Sequence, residues 1–310
     1  MTSTPPATPS PSTPPTLRAL RGVRVLSLAL NLPGPAALMR CQQMGASCVK
    51  LEAPPPANAA PGSSGDPMSW YMPNAYAALH QGVRVAVADL KTEKGQKTLH
   101  RELAKADVLL TSFRPSALRK LGLAWKVLHK LYPTLSIVAI VGAPGARAEE
   151  PGHDLTYLAE NDLVSGLTMP PTLYADMGGS LMASEAVLQT VIMQSKKGKG
   201  VLMEIALSEA AGYLALPRTW GLTREGAAVG GGHAGYRVYP CQDGRVAMAA
   251  LEPHFAKSLC AAAGVASASI QSMMAPATHQ AIADYLLTMT RDALDQLAVA
   301  NDIPLYTLSN

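Results

Sequence analysis

The chain has 310 residues, 48% of them apolar, and 26 Lys and Arg against 22 Asp and Glu give it a net charge of +4. That is enough for one large domain or two ordinary ones with sizeable cores, and the modest, scattered positive charge argues against a nucleic-acid protein while leaving room for a local basic pocket that receives phosphates. No apolar run approaches the ~18 residues of a membrane helix, and Cys41, Cys48, Cys241 and Cys260 have neither C-x-x-C nor framework spacing, as expected of reduced, mostly buried thiols in a cytoplasmic protein.

Residues 1–16 are almost wholly Pro, Ser, Thr and Ala with no apolar h-region. They predict a disordered tail and not a signal peptide. Order is expected from Leu17. Gly22 to Leu28 is a predicted strand, Pro33-Gly34-Pro35 breaks it, Ala36 to Gln43 is a helix, and Ser47 to Glu52 is the next strand. This is a βαβ unit with short connections, so the two strands should be parallel. After a Pro/Gly/Ser-rich loop from Ala53 to Pro67 come a strand at Arg84 to Asp89, a helix at Glu93 to Ala104 and a strand at Asp107 to Thr111. Helices at Pro115 to Leu121 and Trp125 to Leu131 and a strand at Leu135 to Val141 follow. Strands alternating with helices predict an α/β fold with a doubly wound, mostly parallel, Rossmann-like sheet. Ligands of such sheets sit at the C-terminal ends of the strands, where Pro33, Glu52 and Arg114 fall. Beyond Val141 the reading is an amphipathic stretch from Asp154 to Gly166, a long helix from Gly178 to Ser195, a strand at Val201 to Ala206 and a helix from Ser208 to Leu222. A large domain is expected over 17–225. A smaller α+β domain is expected over 226–310, with a hairpin of Tyr236 to Tyr239 and Arg245 to Ala249 and helices from Phe255 to Leu297.

Gly230-Gly231-Gly232-His233-Ala234-Gly235 spells G-x-G-x-x-G. It follows a helix and precedes a strand, the reverse of what pyrophosphate binding requires. No P-loop, H-E-x-x-H, nucleophile elbow or His/Cys metal spacing is present, so no metal is expected. The chemistry-bearing residues are His153 in Pro-Gly-His-Asp-Leu, Asp176 in Tyr-Ala-Asp-Met-Gly-Gly and Glu252 in Leu-Glu-Pro-His-Phe. Taken singly these are a loop histidine, a helix N-cap and a turn residue. Brought together, an imidazole and two carboxylates hold and release protons near neutral pH.

These stretches resemble the CaiB/BaiF family, the class III CoA-transferases, and within it the α-methylacyl-CoA racemase branch. The similarity also runs through Met44-Gly45-Ala46, Val49-Lys50-Leu51-Glu52, Ala88-Asp89-Leu90-Lys91, Phe113-Arg114-Pro115, Gly198-Lys199-Gly200 and Tyr236-Arg237-Val238-Tyr239. The resemblance implies an acyl-CoA substrate, coenzyme A as part of that substrate with no permanently bound cofactor, and an interlocked homodimer. It makes Asp176 the catalytic carboxyl, which is a nucleophile through an aspartyl-CoA thioester in transferases and an acid/base opposite His153 in racemases. Glu252 would hold the histidine. Pro33, Glu52, Arg84, Arg114, Asp154, Gly178 and Gly179 are the expected contacts to CoA, with N–H groups after Asp176 donating to the thioester oxygen. Gly-His-Asp, Glu-Pro-x-Phe and Pro-Gly-Pro are marks of the racemase branch, so epimerisation of 2-methylacyl-CoA is the first expectation and CoA transfer between carboxylic acids the alternative. A member that binds acyl-CoA without turnover is the third. Its support is His80-Gln81-Gly82 where Asn-Arg-Gly is common, and Met68-Ser69-Trp70 where an Arg is usual after Gly65-Asp66-Pro67.

Overall fold

The computed structural model describes residues 18–59 and 62–309; the expected tail at 1–16 lies outside them. The chain divides into two compact units, Met1–Leu214 and Ala215–Asn310.

The first unit alternates strand and helix. Strands β1 (Arg24–Ser27), β2 (Ser47–Glu52), β3 (Arg84–Val87), β4 (Val108–Thr111), β5 (Ser136–Val141) and β6 (Leu202–Ala206) are all parallel, in the order β3-β2-β1-β4-β5-β6. Consecutive residues of one strand face opposite sides, and both sides are covered. Val25, Val108, Leu110 and Val138 join one apolar cluster, while Leu26, Leu109 and Ile137 join another. The helices are α1 (Pro33–Gln43), α2 (Met68–Tyr71), α3 (Pro73–Leu79), α4 (Glu93–Leu103), α5 (Pro115–Lys120), α6 (Trp125–Leu131), α7 (Asp154–Glu160), α8 (Tyr174–Lys197) and α9 (Leu207–Leu214). Local chemistry sets several of their ends. Pro33 opens α1, where a missing N–H costs nothing. The Thr92 hydroxyl accepts the Gly95 N–H to cap α4. Gly198 closes α8 in the left-handed region at φ 66°.

The chain runs from β1 to β2 on one side and returns to β4 on the other, so the sheet reverses direction between β1 and β4. The segments leaving these two strands stay joined: the Leu28 N–H donates to the Leu110 carbonyl at 2.8 Å and the Leu30 N–H to Ser112 Oγ at 3.1 Å. A crevice at such a reversal, outside the carboxyl ends of the strands, is where α/β sheets receive ligands.

The second unit has α10 (Leu216–Thr219), an antiparallel sheet of β7 (Tyr236–Cys241), β8 (Gly244–Ala249) and β9 (Leu305–Leu308), and helices α11 (Pro253–Ala262), α12 (Ile270–Met273), α13 (Pro276–Leu287) and α14 (Arg291–Asn301). Tyr239, Val246, Met248, Leu259, Ile282 and Leu294 build its core. The glycine run at 230–235 leads into β7, with no helix at its end.

Several elements differ from expectation for identifiable reasons. The predicted helix from Ser208 to Leu222 is two pieces, because Pro217 lacks the N–H that would continue the ladder. The amphipathic stretch from Asp154 is helical only to Glu160, with Asp162 and Gly166 at positive φ beyond it. The long helix begins at Tyr174, one turn before Gly178.

Candidate active site

Two helix N-termini of the first unit meet through one side chain. Asp154, the first residue of α7, is buried, and its Oδ1 accepts the backbone N–H of Asp176 at 2.9 Å. Asp176 lies in the first turn of α8, where helix N–H groups have no intrahelical acceptor. One carboxylate therefore satisfies an orphan donor of α8 while contributing negative charge to the start of α7. His153 is next to Asp154 in sequence, so the hydrogen bond ties the backbone of Asp176 to the residue that follows the histidine. His153 is exposed and precedes α7. Its N–H donates to Thr156 Oγ1 at 3.1 Å, and that hydroxyl donates back to the His153 carbonyl at 2.7 Å.

Asp176 is half-buried. Burial, and secondarily the Asp154 carboxylate, raise its pKa from the usual 3.8 to about 6. A carboxyl so placed populates both protonation states near neutral pH. Tyr157, on α7, feels its charge. Burial pushes the phenol above its ordinary range, Asp176 adds to that, and Arg114 opposes it. The Tyr157 hydroxyl occupies the space that a Cβ at Gly142 or Gly152 would need, 2.3 and 2.5 Å away. Glycine therefore precedes His153 because an aromatic ring lies against it. Arg114, exposed at the start of α5 just past β4, is a cation at the carboxyl edge of the sheet.

Other expected ligand contacts have different work. Glu52 ends β2 but is fully buried. Its Oε1 is bonded by Lys50 Nζ at 2.9 Å and by the Tyr76 hydroxyl at 2.9 Å, so it belongs to the scaffold. Burial raises the Glu52 pKa, but the Ser64 hydroxyl, the Lys50 ammonium and the Tyr76 hydroxyl outweigh it and hold the carboxyl below its usual range. Pro33 is buried and sets the start of α1. Arg84 opens β3, at the opposite edge of the sheet from the strand ends that lead to Asp176. It pairs with Glu102 at 2.8 Å over a recess of about 380 Å³. Gly178 and Gly179 lie inside α8, where the Met177 N–H already bonds the Leu173 carbonyl at 3.0 Å, so the donors after Asp176 are spent on the helix. Their lack of a side chain serves packing: a Cβ would come 3.1 Å from Leu214 Cδ1 at Gly178 and 2.3 Å from Leu207 Cδ2 at Gly179, both on α9. Glu252 belongs to the second unit, where it is exposed and precedes α11.

Sequence reading missed a buried ionic group elsewhere in the first unit. Lys50, in the middle of an interior parallel strand, is fully buried. Its Nζ bonds Glu52 Oε1 at 2.9 Å, Asp66 Oδ2 at 2.5 Å and His80 Nε2 at 3.0 Å, matching three acceptors to the three donors of an ammonium. His80 Nδ1 lies 2.6 Å from the Tyr76 carbonyl, which only accepts, so Nδ1 carries the proton and Nε2 receives Lys50. Burial, then the Lys50 charge, hold the His80 pKa below its ordinary value. Asp66 also accepts the N–H groups of Asn31 at 3.2 Å and Met68 at 2.9 Å. Asn31 follows β1 at φ 61°, a left-handed conformation that the Asp66 contact fixes at the sheet reversal. Glu52, Asp66 and His80 form the only cluster among the described residues with metal-ligand potential, their ligand atoms lying within 4.8 Å of one another. The Lys50 ammonium bonds all three, standing where a cation would. A lysine inside a doubly covered strand was the sequence signal, since it demands buried acceptors.

The fold is that of an α/β protein whose parallel sheet is followed by two helix N-termini joined through the Asp154 side chain and the Asp176 N–H. CoA-transferase family III matches residues 20–310, and the chain belongs to that family. It is 29% identical over 274 residues to α-methylacyl-CoA racemase of Homo sapiens, covering 83% of this chain and 68% of that protein. It is 32% identical over 205 residues to cinnamoyl-CoA:phenyllactate CoA-transferase of Clostridium sporogenes, covering 62% and 50%. A solved CaiB/BaiF family protein from Brucella suis superposes with a TM-score of 0.73 at 22% identity, covering 94% of this chain and 84% of that one, a likeness of fold. Racemases and CoA-transferases both occur among the relatives, and both are enzymes of acyl-CoA. No helix of the described residues is long and apolar enough to cross a membrane.

Proposed function

We propose that this chain epimerises the α-carbon of 2-methylacyl-CoA thioesters, with His153 and Asp176 as the two proton-handling groups. One observation carries the reading: Asp176, whose backbone N–H is held by the Asp154 side chain, is a half-buried carboxyl with a pKa raised to about 6. An epimerase needs each of its two groups to be protonated in one direction and free in the other. A carboxyl within about one pH unit of neutrality meets that need, whereas an ordinary exposed aspartate stays ionised. Neutral His153 takes the α-proton from one face, protonated Asp176 returns one to the other, and the reverse reaction exchanges the roles. The N–H groups of Asp154 and Leu155 at the start of α7 are assigned as donors to the enolate oxygen; that of Thr156 is spent on the His153 carbonyl at 2.8 Å. Arg114 and the crevice between β1 and β4 are assigned to CoA. Glu252 enters through the resemblance, and a Glu252→Gln variant tests its part.

The test is mass spectrometry of the protein and a 2-methylacyl-CoA in heavy water. Deuterium entering the α-carbon, abolished by His153→Ala and by Asp176→Ala, supports the reading; no exchange across a panel of branched acyl-CoAs refutes it. The same raised pKa leaves Asp176 mostly ionised at pH 7, so it is also a competent nucleophile, and this favours CoA transfer as the second reading. A hydroxylamine-sensitive CoA adduct on Asp176 that survives His153→Ala would establish it. The family's interlocked homodimer is proposed for this chain as well, and light scattering of the purified protein tests it.

A further inference from the structure

We propose that Asp66 is a positioning residue of the ligand crevice: its buried carboxylate fixes the turn that leaves β1, and through that turn one wall of the crevice between β1 and β4. This rests on the assignment of that crevice to coenzyme A. From Leu28 to Asn31 every N–H of the turn has a fixed acceptor. The Ala29 N–H donates to Ser27 Oγ at 3.2 Å. The Leu28 and Leu30 N–H groups are held from the β4 side, by the Leu110 carbonyl and Ser112 Oγ. From the other side the turn is held through Asn31, whose N–H lies 3.2 Å from each oxygen of Asp66. Asp66 comes from the loop after β2, 35 residues along the chain, so neighbours in sequence do not supply this acceptor. Asn31 is exposed and its φ is 61°. Outside glycine such a conformation persists where the surroundings impose it, and positions of this kind gather at ligand sites.

The anchor is buried charge. Asp66 and Lys50 are both without solvent contact, and Lys50 also holds Glu52 and His80. The backbone of Asp66 is fixed as well: its N–H donates to Ser64 Oγ at 3.1 Å, and its carbonyl accepts the Ser69 hydroxyl at 2.8 Å. An ion pair taken out of water is a poor stability device by itself. What this one provides is a carboxylate with a single position, and the exposed residue it places is Asn31 at the sheet reversal. A ligand that meets a wall already in place loses less freedom on binding. The two oxygens divide the work. Oδ1 accepts the Met68 N–H at 2.9 Å and shares that of Asn31, while Oδ2 faces Lys50. The tether and the ion pair are therefore separable: Asp66→Asn keeps an oxygen for the two N–H groups and loses the charge toward Lys50, whereas Asp66→Ala loses both.

The experiment is calorimetric titration of the full chain with coenzyme A for the wild type, Asp66→Asn and Asp66→Ala, each below its melting temperature. Hydrogen exchange of the wild type, read by mass spectrometry with and without CoA, accompanies it. Both variants should melt earlier than the wild type, since both leave Lys50 short of a partner. Asp66→Ala should bind CoA roughly tenfold more weakly, and Asp66→Asn should recover most of that loss. A role in stability alone would lower both melting temperatures and leave both affinities untouched. That result, or an equal loss of affinity in the two variants, overturns the proposal. The exchange measurement needs no variant. Amides of residues 28–32 and 66–69 should be protected together in the free protein, and further by CoA. Fast exchange at Asn31, or protection by CoA that omits both segments, overturns the proposal too. A wild type that binds no CoA sinks the acyl-CoA reading and this inference with it, whereas CoA binding that ignores Asp66→Ala sinks this inference alone.

Discussion

Replacing Asp176 by Asn should stabilise the protein at neutral pH while abolishing its chemistry. The fold holds the Asp176 carboxyl at about 6 against an ordinary 3.8, so the ionised form is the disfavoured one. Below the unfolded value both states are protonated and the fold bears no penalty; above about 6 both are ionised and the penalty is complete. At 1.36 kcal/mol per pH unit it reaches about 3 kcal/mol. Asn has the same shape and cannot ionise, and the Asp154 contact survives because it is made to the backbone N–H. Urea denaturation of the two proteins should show the variant more stable by about 3 kcal/mol at pH 8, by about half of that at pH 5, and by little at pH 4. The pH dependence is the diagnostic part, since a packing improvement would add the same increment throughout. A gain that does not change between pH 4 and pH 8, or a loss at pH 8, would mean that Asp176 is not held in a raised, destabilised state, and the proton-handling role would lose its physical basis.

Asp154→Asn keeps the acceptor for the Asp176 N–H and removes the neighbouring charge, so the Asp176 pKa should fall and the limb of the pH–rate profile that reports it should move to lower pH; a profile that stays in place refutes the coupling. Gly152→Ala puts a Cβ 2.5 Å from the Tyr157 hydroxyl and 2.7 Å from its ring. It should cost about 1–3 kcal/mol by chemical denaturation and lower turnover by shifting His153, whereas Gly122→Ala, with nothing within 4 Å but a φ of 75°, tests strain alone far from the site. Lys50→Ala leaves Glu52 and Asp66 buried without their cation and should destabilise by about 3–5 kcal/mol. Because Glu52, Asp66 and His80 offer ligand atoms within 4.8 Å of one another, zinc should restore part of the melting temperature of this variant and none of the wild type's.

The parallel sheet was legible because its strands are short apolar runs between helical patterns, and the burial of both faces requires such runs. β2 and α6 fall on the expected residues to their ends. What escaped depended on partners distant in sequence. Residues 68–79 carry no helical apolar period, and Pro73 interrupts them; α2 and α3 form because Asp66 captures the Met68 N–H and because Met68 and Leu79 pack on α1. β9 is four residues long and exists only through its pairing with Arg245–Met248.

The glycines at 178 and 179 show most clearly where sequence and structure part. Read locally, Gly-Gly after an aspartate marks a helix start with free N–H groups, which is the reading that made them oxyanion donors. In the fold the helix has already run one turn, and the two positions are bare so that Leu207 and Leu214 of α9 can close on α8. Burial is the larger cause of the raised pKa of Asp176, two residues before this close packing begins. The glycines are therefore expected to act on the chemistry through packing, by keeping water from the carboxyl, and not through free N–H groups. A Gly179→Ala variant separates the two roles. Its Cβ would force Leu207 aside without removing any N–H, so the pH–rate limb of Asp176 should move toward lower pH as water enters, whereas an unshifted limb would show that the helix packing has no part in tuning the acid.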